Sequence, residues 1–118
     1  MTAETFREGK IQELLQRLAI TRSYEAYDPL KTALLMVMED ENRLRRITGL
    51  YVQVAAQYGT TPEALQRNFR TLTEVCWREE RKALCRMARR ELSDRPHPGE
   101  LIELLSTCLI RWEQERAL

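Results

Sequence analysis

The sequence lacks most of the residues on which metal and disulfide sites depend. Among 118 residues there is one histidine, His97, and the three cysteines, Cys76, Cys85 and Cys108, form no C-x-x-C pair. A zinc site needs three or four ligands at suitable spacing, and these residues do not supply one. Widely spaced cysteines without a secretory signal are typical of reduced, buried thiols. We therefore expect no metal and no cofactor.

Long apolar runs are also missing. No stretch approaches the roughly 20 residues that a membrane helix needs, and the opening residues MTAETFREGK lack the apolar core of a signal peptide. Glycine and proline number only four each, whereas 43% of the residues are apolar and 31% are charged. This composition is typical of a helix-rich domain with one hydrophobic core. We expect a single cytoplasmic domain over residues 1–118 with no membrane contact.

Catalytic patterns are absent as well. The chain has no glycine-rich phosphate loop and no nucleophile–base pair at a recognisable spacing. His97 lies in the turn-like stretch Asp94–Gly99 without a partner to orient it, which favours a surface turn residue over a catalyst. The sequence thus predicts that the protein is not an enzyme.

Helical periodicity runs through nearly the whole chain, and no alternating strand pattern interrupts it. The apolar spacing predicts six helices, at Thr5–Leu18, Leu30–Glu39, Leu44–Tyr58, Pro62 to about Trp77, roughly Glu79–Leu92 and Glu100–Arg116. Asp28 is predicted to cap the second helix with Pro29 at its first position. Asp40–Asn42 is predicted to interrupt the second helix, and it could start the third helix. The predicted fold class is therefore all-α, a bundle of about six helices.

The segment between about residues 48 and 77 is typical of a central helix-turn-helix. Gly59 is placed to end one helix, and Thr61 followed by Pro62 is placed to begin the next. Ala55 supplies a small side chain where the two helices would cross, and Val54 and Tyr58 are predicted to face inward. The second helix of this motif enters the DNA major groove. The same geometry occurs in domains that bind no DNA.

The second helix of this segment is predicted to have one apolar and one polar face. At about 100° per residue, Arg67 and Arg70 lie opposite the sector that contains Leu65, Phe69, Leu72 and Cys76. Arginine can contact guanine with two hydrogen bonds, and glutamine can contact adenine. Hydroxyl and backbone N–H groups at a helix N-terminus suit a phosphate. The predicted DNA-binding residues are Arg67 and Arg70, assisted by Gln66 and Thr71, with Thr60, Thr61, Arg78 and Lys82 on phosphates.

The charge distribution bears on this prediction in two ways. A net charge of +1 argues at first against a nucleic-acid binder. However, residues 59–90 carry eight basic and four acidic side chains, residues 91–118 carry three and six, and residues 1–58 carry eight of each. This division fits a domain with one phosphate-facing half. Arg86, Arg89 and Arg90 could instead serve only the C-terminal dipole of their own helix.

These segments together resemble a known family, the C-terminal DNA-binding domain of the stage 0 sporulation protein A, a response regulator of endospore-forming Firmicutes. The resemblance runs from about Ile11 to Arg111. It lies in the order of the segments LLQRLAI, YDPLKTALLMVMED, ITGLYVQVAAQYGTTPEALQRNFRTLTEVCW and RPHPGELIELL. Its most specific part contains Tyr58, the Gly59–Thr61 turn, the two arginines and Val75–Trp77.

The resemblance implies a six-helix fold whose fourth helix is the recognition helix. It implies binding to a short promoter element in double-stranded DNA, often by tandem copies of the domain. By position, Arg67 and Arg70 match recognition-helix arginines of the family, and Thr60 and Thr61 match its turn. The chain also departs from the family.

The departures concern both the recognition helix and the domain organisation. Ala64 stands where the family has an arginine, Gln66 where it has an acidic residue, and Thr71 where it has a histidine. We therefore expect a DNA preference that differs from the family's own and modest, salt-sensitive affinity. The family's receiver domain has no counterpart in these residues, so we expect a transcription regulator without phosphoacceptor control.

A second class of function is a helical protein-interaction module that retains the fold and has lost DNA binding. Its surface would be the acidic last helix with Trp112 exposed, which could serve a homodimer or bind an RNA polymerase sigma subunit. The other interpretation of Trp112 is core packing with Leu105 and Leu109, since tryptophan is mostly buried.

Overall fold

The computed structural model describes residues 2–117, and in that range it contains only helices. In chain order they are α1 (Ala3–Arg17), α2 (Tyr27–Glu39), a 3-10 helix (Glu41–Arg46), α3 (Ile47–Gln57), α4 (Pro62–Glu79), α5 (Arg81–Ala88) and α6 (Pro98–Ala117). The predicted all-α class with six α-helices is confirmed. None of the described helices is long and apolar enough to cross a membrane.

The core forms around α2, which packs against α1, α3 and α6. Its inward residues Leu30, Leu34 and Val37 are fully buried. The helices around it contribute a further set of buried side chains, Ile11, Leu15, Leu65, Phe69, Leu72, Leu101, Ile102, Leu105 and Leu109. Burial of this apolar surface is the main term that stabilises the bundle. It also fixes α3 and α4 as parts of one rigid unit.

The predicted start of α2 is wrong. The helix begins at Tyr27, the N-cap position is occupied by Ala26 without a side-chain hydrogen bond, and Asp28 lies in the first turn. Ala26 and Tyr27 are only 2% and 5% exposed. Packing of these two residues, rather than the capping preference of an aspartate, therefore sets where the helix starts. Pro29 is still compatible, because N–H groups in the first turn have no helical partner.

The predicted helix over Leu44–Tyr58 is shorter than expected, because its first part belongs to the 3-10 helix. That helix begins at Glu41 and is capped by Asp40, whose carboxylate accepts a hydrogen bond of 3.0 Å from the backbone N–H of Asn42. Two other predicted ends also shift. The fifth helix stops at Ala88 instead of Leu92, and the last begins at Pro98 instead of Glu100.

Three helices end in the same hydrogen-bonded turn. After α1, α3 and α5, one residue adopts a left-handed backbone, with φ of 63° at Ala19, 63° at Gly59 and 57° at Arg89. The next residue then donates to the carbonyl five residues back, in the pairs Ile20–Leu15, Thr60–Ala55 and Arg90–Cys85. Glycine adopts this conformation readily, whereas a Cβ atom costs roughly 1 kcal/mol or more. Ala19 and Arg89 are therefore strained positions.

His97 is a surface turn residue, as predicted. Its Nδ1 accepts a hydrogen bond of 3.3 Å from the backbone N–H of Glu100, and its Nε2 lies 2.8 Å from the Glu100 carboxylate. The side chain of His97 thus caps the start of α6, and the Glu100 carboxylate contacts the other side of its ring.

The cysteines are only partly as predicted. Cys76 is fully buried, and desolvation raises the pKa of its thiol to about 12. Cys85 and Cys108 are half-buried, so the prediction of buried thiols is wrong for these two. Within residues 2–117, no group of three or more histidine, cysteine, aspartate or glutamate side chains is arranged to hold a metal ion.

Candidate nucleic-acid interface

A tight junction joins α3 to α4. Gly59 supplies the left-handed residue that ends α3, and Thr61 caps α4 by accepting a hydrogen bond of 3.1 Å from the N–H of Ala64. Ala55 is 1% exposed, which leaves no room for a larger side chain where the helices cross. Phe69 of α4 packs beneath the junction. The two helices are therefore held as a helix-turn-helix.

Tyr58 does not face inward as predicted. It is 42% exposed, and its hydroxyl lies across the surface of α2. There it donates to the carbonyl of Asp28 at 3.2 Å and lies 2.6 Å from the hydroxyl of Thr32. These hydrogen bonds of the Tyr58 hydroxyl connect the end of α3 to α2.

The outward surface of α4, which we name the α4 polar face, is formed by residues one or two turns apart. Its exposed members are Glu63, Arg67, Arg70, Thr71, Glu74 and Arg78. The opposite side is buried over a wider sector than predicted. It includes Thr73 and Val75 beside the expected apolar residues, because α4 packs against α3, α5 and α6 together.

Arg67 and Arg70 lie at the middle of the α4 polar face. Both are exposed, and neither forms an ion pair with any residue between 2 and 117. They are separated by one helical turn, so both guanidinium groups can reach into the same groove. The structure therefore brings together the two residues that the sequence predicts as base readers.

The predicted assisting residues are less free. Gln66 is half-buried at the edge of the α4 polar face. Thr71 is exposed, but its hydroxyl lies 3.4 Å from the carbonyl of Arg67 and donates to it weakly. Both side chains are near the arginines, and either could reach a base only by leaving its present position.

The two threonines of the turn already have structural roles. The N–H of Thr60 donates to the carbonyl of Ala55, so it is not among the donors available to a phosphate. The hydroxyl oxygen of Thr61 accepts from Ala64, which leaves only its O–H to donate. Replacing Thr61 would therefore remove a helix cap together with any phosphate contact.

An ion pair that the sequence did not indicate offsets a negative charge on the α4 polar face. Glu74 lies 3.1 Å from the guanidinium of Arg95, which belongs to the segment between α5 and α6. In the sequence, Arg95 lies within the turn-like stretch Asp94–Gly99, and Glu74 is an acid on the polar side of α4, which disfavours DNA. No sequence signal connects the two, because the contact depends on how the chain returns after α5.

Arg78 and Lys82 differ in how available they are. Arg78 is 65% exposed but lies 2.9 Å from the carboxylate of Glu79, its neighbour in the chain. Lys82 is exposed on α5 and has no acidic partner among the described residues. Arg81, between them, places its guanidinium 3.9 Å from the ring centre of Trp77. Stacking of this kind stabilises the junction between α4 and α5.

The C-terminal end of α5 is capped by a residue from another helix. Arg111 of α6 donates to the carbonyl of Met87 at 2.9 Å. Arg86, Arg89 and Arg90 make no hydrogen bond to a carbonyl of α5 among the described contacts. These three cations lie at the C-terminal end of α5, where they are favourable to its dipole without a direct hydrogen bond.

Trp112 lies at the boundary of the core. It is half-buried, whereas its neighbours Leu105 and Leu109 are fully buried. The Lys10 ammonium lies 5.0 Å and the Arg116 guanidinium 5.4 Å from its ring centre. Neither full core packing nor full exposure describes it, because cations cover part of the ring.

One family model matches the chain. It describes the sporulation initiation factor Spo0A C terminal, and it matches residues 11–109. The matched range contains all of α2 to α5, and with them the turn and the α4 polar face.

Proposed function

The chain belongs to the family of Spo0A C-terminal domains, which are DNA-binding regulatory domains and not enzymes, and on that premise we propose that it is a sequence-specific transcription regulator. In this proposal α4 enters the major groove of a promoter element, and the α4 polar face reads its bases. Being a DNA-binding regulator, the protein would act in the cytoplasm.

The pair Arg67 and Arg70 is the observation that carries the proposal. Both are exposed, both lack an acidic partner within the described chain, and they stand one turn apart on a helix anchored by Leu65 and Phe69. An arginine in the major groove can donate two hydrogen bonds to O6 and N7 of guanine. We therefore infer an element with a guanine opposite each of the two arginines.

The remaining predicted residues are assigned supporting roles. Lys82 and Arg78 would bind phosphates, and the O–H of Thr61 would donate to one at the start of α4. Thr60 would support the turn rather than supply a backbone N–H. Gln66 and Thr71 would contact bases only after a change of side-chain rotamer. Binding in tandem copies, or through a homodimer, and contact with a polymerase sigma subunit belong to the proposal on the strength of the resemblance alone.

A fluorescence-anisotropy titration of promoter DNA tests this function. We expect the affinity to fall by at least about tenfold between roughly 50 and 200 mM salt, because at least two phosphate-binding cations would release counterions. Binding that is undetectable at the lower salt concentration, or that does not depend on salt, would contradict the proposal.

A further inference from the structure

We propose that the outward side of α5 forms a second DNA-binding surface, which contacts the phosphate backbone beside the element that α4 reads. We name it the α5 cationic face, and it consists of Arg81, Lys82, Arg86, Arg89 and Arg90. The inference rests on the proposed function, and it adds Arg81, Arg86, Arg89 and Arg90 and a flanking DNA segment to the interface.

The charge on this surface is mainly positive, since the five cations line one hollow together with Cys85 and a single acid, Glu91. The inward side of α5 is formed by Ala83 and Leu84, which are buried, whereas all five cations are exposed. Only the half-buried Cys85 lies between them, and the first acid in the chain after Lys82 is Glu91. Like charges three or four residues apart on a helix repel each other and destabilise it. A polyanion bound along this side would relieve that repulsion.

Contacts within the protein occupy these cations only slightly. Arg89 pairs with Glu115 at 3.1 Å, but both side chains are 61% exposed, and such surface pairs contribute little. Arg86 and Arg90 have no ion pair among the described residues. Arg111 already caps the helix. The side chains are therefore available to an outside partner.

Two contacts place α5 at the end of the α4 polar face. At the start of α5, Arg81 stacks on Trp77, which lies about two turns beyond Arg70 on the same side of α4. After α5, Arg95 binds Glu74, about two turns beyond Arg67. Because the first residue of α5 and the segment after α5 both contact the C-terminal half of α4, the α5 cationic face lies next to the α4 polar face.

The dimensions suit a DNA backbone. From Arg81 to Arg89, the residue that ends α5, the chain advances about 12 Å at 1.5 Å per residue, and Arg90 follows. Phosphates on one strand of DNA advance about 3.4 Å each along the duplex axis. The face therefore spans about three or four successive phosphates. A regular row of phosphates that continues from the groove read by α4 fits this surface better than an acidic protein, whose charges have no such spacing.

The backbone of Arg89 supports a role beyond folding. Its φ of 57° is a conformation that glycine adopts without strain, yet the position carries a cation. Residues in strained conformations cluster at functional sites as well as at helix ends. Ala19 has the same backbone conformation at the end of α1, far from α4 in the sequence, and provides a matched control.

Salt-dependent DNA binding by the triple variant Arg86→Gln/Arg89→Gln/Arg90→Gln tests the inference. Losing three phosphate contacts should reduce the slope of log affinity against log salt concentration by about 2.7. Between about 50 and 200 mM salt, the affinity of the wild type should therefore fall by about 40-fold more than that of the variant. The control Lys31→Gln/Arg45→Gln/Arg46→Gln removes the same charge from α2 and the 3-10 helix and should keep the wild-type slope. If the Arg86/Arg89/Arg90 variant keeps the wild-type slope, the inference is wrong, and an acidic protein becomes the expected partner of α5. If the wild type bound no DNA, the proposed function itself would fail.

A pair of glycine variants separates function from folding. Arg89→Gly and Ala19→Gly both relieve a left-handed residue, so both should raise the melting temperature. Only Arg89→Gly should also lower DNA affinity, with a salt slope flatter by about 0.9. Equal DNA binding by the two glycine variants would contradict the assignment of Arg89 to the DNA.

Discussion

The double variant Arg67→Ala/Arg70→Ala is expected to lose most of its affinity for the promoter element while it folds like the wild type. Each arginine that contacts guanine with two hydrogen bonds is worth about 1–3 kcal/mol of discrimination. Together they contribute roughly 2–6 kcal/mol, so affinity should fall at least about 30-fold. Both side chains are exposed and unpaired within the described chain, and alanine is a good helix former, so the helix should persist.

Anisotropy titrations at low salt, with thermal melting followed by circular dichroism, measure the two halves of this expectation. The variant Arg17→Ala/Arg22→Ala removes two exposed arginines outside the α4 polar face and serves as the control. Its affinity should stay near that of the wild type. An affinity of the Arg67/Arg70 variant within about twofold of the wild type would mean that these residues read no bases.

Phe69→Ala is expected to have the largest effect on stability. The ring is 1% exposed, and its centre lies 6.2 Å from that of Tyr51, so it joins α4 to α3 inside the core. Removing a buried phenylalanine costs about 3–5 kcal/mol through lost burial and the cavity left behind. A domain of this size is stable by only about 5–15 kcal/mol. The variant should therefore unfold at much lower denaturant concentration, and DNA binding should fall with the fold.

Phe6 provides the matched control, because it is the other phenylalanine and is 45% exposed. Phe6→Ala should change the free energy of unfolding by no more than about 0.5 kcal/mol, as surface substitutions usually do. Urea unfolding of both variants measures the difference. Equal stability of the two would show that α4 is not anchored on α3 through Phe69.

The helix-turn-helix could be predicted from the sequence because its signals are local. Gly59, Thr61 and Pro62 each have a conformational preference that acts within a few residues, and the structure places the turn where those preferences do. Helical periodicity alone places Arg67 and Arg70 on the side of α4 opposite Leu65 and Phe69. These features needed no knowledge of the rest of the fold.

The features that escaped prediction depend on tertiary packing. Tyr27 starts α2 because its neighbours bury it, which overrides the capping preference of Asp28. Glu74 and Arg95 meet only because the chain returns to α4 after α5. Trp112 is half-buried between the core and the Lys10 ammonium. A helical wheel cannot distinguish this position from full burial or full exposure.

This last kind of contact changes how the charge is interpreted. The net charge of +1 argued against DNA, and Glu74 seemed to weaken the recognition helix further. The ion pair with Arg95 neutralises that acid in place. The α4 polar face is therefore more positive at its centre than its own residues imply, and Arg67 and Arg70 dominate it.

Selection of bound duplexes from a random-sequence pool tests most directly whether the α4 polar face reads bases. The wild type should enrich one short element that contains guanine at two or more positions. Arg67→Ala and Arg70→Ala, assayed singly, should each relax the preference at a different one of those positions, while the phosphate contacts keep both variants bound at low salt. Enrichment of the same element by the wild type and both variants, or of no element by the wild type, would contradict the account.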